Sequence, residues 1–345
     1  MTATRLITAS TLVLALTACS GGNDPATGTD EAAAADTVID TVEASAGDMT
    51  DDSSAGETGT DDADADEEAV GLPGMDIYLA GLSWVDGVPS IGTPRNVTNQ
   101  PGYDNQPAFV PGSHDFYYSA ESEAGTTDVY RYNSVDGTRV QVTNTPEDGE
   151  YSPRLLSDGA SIAFLHQDAA GTQLITRTDL DGGNREVMID LHPVGYFAFS
   201  PDERQAAMFV LTEPFSLQVA DLDAGTVETV YENIDRALYA TPDGTGAIFT
   251  TPREDGGFQA MHYGFIDGET AYLFDLPGLS QDYALASAPD GLAGAFASDD
   301  GMLVWRDANS ADWTPVGDLS AFGLTGITRM AVSDDASVIA IVAAE

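Results

Sequence analysis

The chain has 345 residues, enough for two average domains or for one large all-β domain. It carries 57 acidic residues against 12 basic ones, a formal net charge of −45, and all 12 basic residues are arginines. This balance excludes a nucleic-acid-binding surface, because phosphate contacts need clustered lysine and arginine, and it disfavours purely electrostatic docking on an anionic membrane.

Residues 1–18 predict a secretory signal peptide. Arg5 supplies a positive charge, and the apolar core from Leu6 to Leu16 is shorter than the roughly 20 residues that span a bilayer. The segment ends in Leu16-Thr17-Ala18-Cys19, which contains the only cysteine of the chain. A single cysteine also excludes an intrachain disulfide.

This ending resembles the bacterial lipobox, in which small residues precede a cysteine that becomes lipidated when the signal peptide is cut. The resemblance implies that Cys19 carries acyl chains and anchors the protein in a membrane of the bacterial cell envelope. Two or three acyl chains anchor a protein stably in a membrane, whereas a single chain gives only marginal membrane binding. By analogy with envelope sorting, Ser20 favours the outer membrane, with the domain facing the periplasm or the cell surface. An ordinary signal peptide with an incidental cysteine is the alternative.

Residues 19–70 predict a disordered acidic linker behind the lipidated cysteine. Between Ser20 and Val70 there are 16 acidic residues, no basic residue and no hydrophobic periodicity. A flexible chain of this length spans roughly 40 Å and would hold a folded body away from the membrane. The alternative is a calcium site in the acidic run at 61–68, but this run lacks the glycine that an EF-hand loop requires.

One pattern recurs six times between residues 71 and 345. A short apolar run meets a turn rich in proline, aspartate and glycine, and a second apolar run follows at once. The turns are 46, 44, 41, 47 and 44 residues apart, and they centre on Gly112, Asp158, Asp202, Asp243, Asp290 and Asp334. A period of about 40–50 residues built from short strands predicts a β-propeller with one blade per repeat.

The second repeat illustrates the four strands of one blade. Strands are predicted at 151–156, 161–165, 173–177 and 184–189, with an aspartate- and glycine-rich hairpin turn before the last strand.

The last repeat stops after its second strand, and strands predicted at 75–80 and 94–98 supply its third and fourth. Closing the ring in this way hides the sheet edges. The predicted fold is therefore all-β: a six-bladed propeller of four-stranded blades over residues 71–345, closed by its N-terminal strands.

The Ser-Pro-Asp-Gly type of turn, Asp-Ile-Tyr at 76–78 and Arg-Asn-Val-Thr at 95–98 together resemble the TolB-type, or WD-like, propeller repeat. The resemblance covers residues 71–345 and implies a propeller mouth that receives partner proteins. TolB proteins have an α/β domain before the propeller, whereas the acidic linker takes that place here. We expect no peptidase of the propeller-plus-hydrolase type, because no hydrolase domain follows.

The sequence gives little indication of catalysis. It lacks the Gly-X-Ser-X-Gly elbow of a serine hydrolase. The four histidines, at 114, 166, 192 and 262, occupy four different positions relative to the repeat turns, so they do not predict a ring of metal ligands. We therefore predict no catalytic residue, no metal and no cofactor, and we favour binding over enzyme activity.

The candidate partner-binding residues lie at the starts of the first strands, near one mouth of the channel that these strands line. Tyrosine and arginine are enriched where proteins grip their partners. The alternative is that these side chains pack between the blades. The candidates are Asp104, Asn105, Glu150, Tyr151, Arg154, Tyr196, Asp235, Arg236, Tyr239, Asp282, Tyr283 and Arg329.

The sequence thus predicts a cell-envelope lipoprotein with a protein-binding or scaffolding propeller. Its expected partners are the membrane, through the lipidated N-terminus, and an envelope protein or cell-wall component, but no nucleic acid. The alternative is a propeller enzyme or binding protein that acts on an extracellular glycan or small molecule. Carboxylates around a metal at the channel mouth favour the alternative, and a rim of tyrosine and arginine favours the first hypothesis.

Overall fold

The computed structural model describes residues 74–288 and 291–345, without the side chains of residues 288 and 291. The predictions for the signal peptide, for Cys19 and for the linker, and the turn centre at Asp290, lie outside the described residues. The described residues form β-strands and a single 3₁₀ turn, Ser320–Phe322. No helix among them is long and apolar enough to cross a membrane.

The chain begins with three strands that belong to the last blade, namely β1 (Met75–Val85), β2 (Val88–Ile91) and β3 (Arg95–Asn96). Blade 1 follows with β4 (Asp104–Phe109), β5 (Phe116–Glu121), β6 (Thr127–Tyr132) and β7 (Arg139–Gln141). Blade 2 consists of β8 (Gly149–Leu155), β9 (Ser161–Gln167), β10 (Gln173–Asp179) and β11 (Glu186–Ile189). Blade 3 consists of β12 (Val194–Phe199), β13 (Gln205–Val210), β14 (Ser216–Asp221) and β15 (Thr226–Glu232).

Blade 4 consists of β16 (Asp235–Ala240), β17 (Gly246–Pro252), β18 (Phe258–Gly264) and β19 (Thr270–Asp275). Blade 5 consists of β20 (Tyr283–Ala288), β21 (Gly291–Asp299), β22 (Met302–Asp307) and β23 (Thr314–Asp318). Blade 6 contains β24 (Arg329–Val332) and β25 (Val338–Ala344), and β25 pairs with the N-terminal strand β1. The described residues therefore form the predicted six-bladed all-β propeller.

The strands of a blade differ in composition because they lie at different depths. The second strands, β5, β13, β17 and β25, are apolar over nearly their whole length and are buried on both faces. The fourth strands, such as β15 and β23, are mostly exposed. A second strand is buried on both faces because a neighbouring blade covers each face of its sheet.

The recurring aspartate of the repeat turns has a local structural role. Asp158 accepts hydrogen bonds from the backbone N–H groups of Ala160 and Ser161 at 2.8 and 2.9 Å, and these bonds lower its pKa. Gly159 beside it has a φ of 63°, which glycine adopts without strain. Aspartate caps such turns through its own side chain. In the last repeat this role falls to Asp335, one residue after the predicted centre.

The predicted closure of the ring is present in blade 6. β1 pairs antiparallel with β25, in a register that runs from Met75 opposite Ala344 to Gly81 opposite Val338. β24 lies on the other side of β25, and β3 pairs with β1. N-terminal strands thus complete the C-terminal blade.

The structure adds a hairpin that the repeat pattern did not predict. β1 continues beyond residue 80 to Val85 and turns back into β2. Asp86 and Gly87 form the turn, with φ angles of 52° and 77°, as a two-residue hairpin requires. Trp84 at the end of β1 donates to the Ala336 carbonyl at 2.7 Å.

Six apolar clusters fill the described ring, one at each junction between neighbouring blades. Five of them contain nine or more buried residues. The cluster between blades 1 and 2 has only four, Tyr117, Val129, Ile162 and Phe164. Polar side chains replace apolar ones at this junction.

Candidate functional site

The first strands of blades 1 to 4 contain β-bulges where they pass along the channel. In β4 the register shifts between Asn105 and Ala108. In β8 it shifts between Tyr151 and Arg154. β12 and β16 have comparable shifts. A bulge adds one residue and changes the direction of the side chains that follow, so strict alternation does not hold beyond it.

Two of these bulges place a non-glycine residue in the left-handed region. Gln106 has a φ of 58° and Ser152 a φ of 55°, and a proline follows each of them. The side-chain carbonyl of Gln106 accepts the Ser152 backbone N–H at 2.7 Å and the Ser119 hydroxyl at 3.0 Å. Backbone strain of this kind persists only where surrounding contacts hold it, and here one glutamine links both bulges beside the channel.

The channel contains a cavity of about 630 Å³, within the range of ligand-binding sites. The cavity reaches the surface at the turns that follow the first strands, where Pro111, Pro242 and Asp334 are exposed. We call this end the turn-lined opening. All six blades contribute to the wall, whose polar side chains include Gln106, Arg154, Tyr196, Tyr239 and Arg329 and whose apolar ones include Phe109, Leu238, Leu285, Met330 and Val332.

Arg154, Arg236 and Arg329 form an arginine cluster beside the cavity. Arg329 is 6% exposed; its guanidinium carbon lies 4.6 Å from the centre of the Tyr196 ring, and Nη2 donates to the Tyr196 hydroxyl. Arg236 donates to Asp282 at 2.7 Å, and Nη1 of Arg329 lies 3.9 Å from the other oxygen of that carboxylate. Within the described residues, no carboxylate oxygen lies within 4.0 Å of Arg154.

Several hydrogen-bond donors of this cluster are not used by the described part of the protein. The Nε atoms of Arg154 and Arg329 and the hydroxyl of Tyr239 are buried without a hydrogen-bond partner there. Burial raises the pKa of Tyr239, and it lowers the pKa of Arg154. A guanidinium nevertheless stays charged in proteins. The cavity wall therefore combines excess positive charge with unsatisfied donors.

The comparisons with solved structures concern the fold. TolB from Acinetobacter baumannii is 16% identical, with a TM-score of 0.52 over 78% of this chain and 81% of that chain. A protein described as a TolB from Agrobacterium tumefaciens is also 16% identical, with a TM-score of 0.53 over 79% of this chain and 99% of that one.

The fold is that of a TolB-like six-bladed β-propeller. A structure of a nidogen/laminin complex also matches, with 13% identity and a TM-score of 0.53 over 70% of this chain and 92% of that chain. No protein-family model matches the sequence, and no curated protein matches it significantly.

In this TolB-like propeller, four of the predicted partner-binding residues line the cavity: Arg154, Tyr196, Tyr239 and Arg329. They lie four to six residues before their turn centres. A bulge precedes or adjoins Arg154, Tyr196 and Tyr239, whereas β24, which carries Arg329, pairs without a register shift. Arg236 and Asp282 lie seven and eight residues before their turn centres and join the same cluster through their ion pair. These six side chains, from blades 2 to 6, are the ones that the structure brings together.

Asp104 lies instead at the junction between blades 6 and 1, where it is 3% exposed. Its Oδ1 accepts a hydrogen bond from Arg139 at 3.4 Å, while its Oδ2 is buried without a partner among the described residues. Burial raises the pKa of Asp104 to about 7, against the opposing effect of Arg139. Its surroundings are those of a structural group between blades.

Glu150 occupies the equivalent place between blades 1 and 2 and is fully buried. It accepts hydrogen bonds from Thr143 at 2.9 Å, from Thr145 at 2.5 Å and from Arg185 at 2.8 Å. Burial and the neighbouring Asp128 raise the pKa of Glu150 to about 7. This network fills the junction whose apolar cluster is the smallest.

The remaining four candidates also have local roles. Asn105 and Asp235 each accept the backbone N–H of the following residue at 2.7 Å, at the starts of their bulges. Tyr283 is buried, and its hydroxyl donates to the Ile248 carbonyl of blade 4 at 3.0 Å. Tyr151 is half-buried and packs against the apolar cluster between blades 2 and 3 and against the one between blades 6 and 1. Their role toward a partner stays a prediction.

The repeat pattern did not predict the bulge residues Gln106 and Ser152 or the apolar wall formed by residues such as Met330. Gln106-Pro107 and Ser152-Pro153 gave a usable signal, because a proline inside a strand marks a bulge or an edge.

The histidines lie in separate surroundings. His114 contacts Asp335 and Ser337, His166 contacts Asp148, and His192 accepts the backbone N–H of residue 173. In the part of the chain that the structure describes, no three His, Cys, Asp or Glu side chains gather in an arrangement suited to a metal ion.

Proposed function

We propose that this protein is a lipid-anchored cell-envelope protein whose propeller binds a partner protein at the turn-lined opening. The observation that carries the proposal is the cavity behind this opening, with its arginine and tyrosine wall. Its volume admits a loop or a chain terminus rather than a folded domain. The surrounding turns would supply the rest of the contact area.

The place where the chain enters the propeller supports this arrangement. The backbone N–H of Met75 donates to the Gly102 carbonyl at 2.9 Å, and Met75 forms a parallel bridge with Tyr103. The chain therefore enters beside the start of β4, at the end of the first strands that lies away from the turn-lined opening. The first described residue, Gly74, therefore lies at the end of the propeller opposite to the turn-lined opening.

The similar structures support protein binding as a use of this architecture. One of them is a complex of nidogen with laminin, so a propeller of this fold occurs in a protein complex. The lipobox-like Cys19 and the Ser20 after it support an outer-membrane anchor. We expect the partner to be an envelope protein or a cell-wall component.

Site-specific photo-crosslinking in cells tests the binding site. A photoreactive residue at Pro242, in the turn-lined opening, should form an adduct with a defined envelope protein. The same residue at Val135, which is 93% exposed on an outer hairpin, serves as the matched control and should give no such adduct. Equal adducts at both positions, or none at Pro242, would contradict the proposed site. Capture of a glycan alone would favour the glycan-binding alternative.

Fractionation tests the anchor separately. Cys19→Ser should move the protein from the membrane to the soluble fraction, because the acyl chains would be absent. If the variant still requires detergent for extraction, the lipidation hypothesis is wrong.

A further inference from the structure

The arginine cluster is unusual for this chain. Only 12 of the 345 residues are basic, and three of them meet in one channel. Several other arginines pair with acidic side chains on the surface or between blades, as Arg177 does with Glu186. Charge balance over the whole molecule therefore does not explain why three guanidinium groups are placed together.

The carboxylates in the cluster do not balance its positive charge. Asp282 is shared between Arg236, at 2.7 Å, and Arg329, at 3.9 Å. Asp235 accepts the backbone N–H of Arg236 and is also attracted by its guanidinium, although burial raises the pKa of Asp235, so at most two carboxylates face the three guanidinium groups. A buried charge without a counter-charge costs several kcal/mol. A bound anion would offset that cost.

The chemistry of the wall indicates which anion fits. Guanidinium groups form paired hydrogen bonds with carboxylate or phosphate. Beside them the wall is apolar, with Leu238 and Met330 buried and Phe109 half-buried. A short aliphatic stem that ends in a carboxylate matches such a wall better than a fully hydrated phosphate or a hydroxyl-rich sugar does.

We propose that the cavity is a carboxylate site that receives an acidic side chain from a peptide segment of the partner. Arg154 and Arg329 bind the carboxylate, and the Tyr239 hydroxyl supplies a further donor. The acidic segment enters through the turn-lined opening. This inference rests on the proposed function, because it names the chemistry by which the partner is recognised at that same opening.

Calorimetric titration of the full chain in detergent, at fixed ionic strength, tests the inference. The probe is an N-acetylated, C-amidated tri-glutamate peptide, and the tri-glutamine peptide is its neutral control. The first should bind and the second should not. Arg154→Gln or Arg329→Gln should weaken binding at least tenfold, whereas Arg204→Gln should leave it unchanged, because Arg204 is exposed and away from the cavity.

The full chain makes this a demanding test, because the 16 acidic residues of its linker would compete with the peptide for the arginine cluster. Inorganic phosphate and digalacturonate complete the set of probes. If phosphate binds as tightly as the acidic peptide, or digalacturonate binds more tightly, the peptide-carboxylate assignment is overturned. Failure of all four probes to bind overturns it as well.

Crosslinking separates failure of this inference from failure of the proposed function. If the Pro242 adduct persists in Arg154→Gln and Arg329→Gln and resists competition by tri-glutamate, the partner binds without the arginine cluster. In that case the proposed function stands and the carboxylate site is wrong. If the adduct never forms, the proposed function itself fails.

Discussion

Buried charges occur in two regions of this propeller, and they are compensated differently. At the junction of blades 1 and 2, the carboxylate of Glu150 meets two threonine hydroxyls and Arg185, all within 2.9 Å. In the channel, Arg236 and Arg329 share the carboxylate of Asp282, and Arg154 has no carboxylate within 4.0 Å among the described residues. The junction is complete in itself, whereas the channel has spare positive charge.

This difference separates a structural role from a binding role for the same residue types. Glu150 and Asp282 both lie eight residues before their turn centres, so position in the repeat does not distinguish them. What distinguishes them is the balance of charges around each. A buried group whose partners are all present serves the fold, and a cluster with unsatisfied donors beside a cavity is suited to a ligand.

The largest effect should follow from breaking the junction. Glu150→Ala leaves Arg185 without its carboxylate partner, and it leaves two threonine hydroxyls with only Asp128, at 3.2 Å, as acceptor. We expect the free energy of unfolding to fall by about 3 kcal/mol. Urea unfolding at neutral pH measures the loss.

Glu186→Ala is the matched control in the same blade. Glu186 pairs with Arg177, but its side chain is 62% exposed, so its loss should change stability by less than about 0.5 kcal/mol. Equal losses for Glu150→Ala and Glu186→Ala would show that the buried network does not stabilise the junction. Arg185→Met, which removes the other partner, should cost about 2 kcal/mol.

The junction carboxyls should also give stability a characteristic pH dependence. The pKa of Asp104 is raised from 3.8 to about 7, and that of Glu150 from 4.5 to about 7. The folded state therefore binds protons more tightly than the unfolded state between about pH 4.5 and 7. The free energy of unfolding should therefore fall as pH rises through this window.

Urea unfolding at pH 5 and at pH 8 tests whether the free energy of unfolding falls as pH rises. The turn aspartates, such as Asp158, have lowered pKa values, so their contribution is lost only at lower pH. The double variant Asp104→Asn, Glu150→Gln should flatten the dependence, because it removes the two titrations and keeps the shapes of the side chains. An unchanged slope in that variant would assign the effect to other groups.

The fold could be predicted from the sequence because each repeat contains the residues that form its own turns and strands. The spacing of the aspartate turns predicted six blades, and the paired ends predicted the closure between β1 and β25. The β1–β2 hairpin was not predicted because its Asp86-Gly87 turn lies outside the repeat. The predicted centre of the last repeat turn was one residue too early, because Asp334 and Asp335 are adjacent and either could cap the turn.

The site was predicted only in part, because a bulge is a property of strand pairing. In blades 1 and 2 the candidates eight residues before the turn centre, Asp104 and Glu150, precede the bulge and lie between blades. Arg236 and Asp282, seven and eight residues before their turn centres, instead join the arginine cluster. Candidates four to six residues before the turn centre line the cavity, as Arg154 and Arg329 do. A count of residues back from the turn centre that ignores the extra residue of the bulge does not separate the residues that lie between blades from those that line the cavity.

The smallest effect on stability should come from the channel. Arg154→Met removes a charge that has no counter-charge among the described residues and that lies near Arg329. We expect stability to stay within about 1 kcal/mol of the parent, or to rise, because replacing an uncompensated buried charge by an apolar side chain of similar size is often neutral or favourable.

The same substitution at Arg185 in the same blade should be destabilising, so the two variants separate the two regions directly. Thermal and urea unfolding of both variants give the comparison, and tri-glutamate titration gives the second readout. Arg154→Met should lose peptide binding while it keeps stability, and Arg185→Met should lose stability while it keeps binding at temperatures where it is folded. If Arg154→Met is as destabilising as Arg185→Met, the channel arginine is part of the structural framework, since only a group that completes the fold would cost that much on removal.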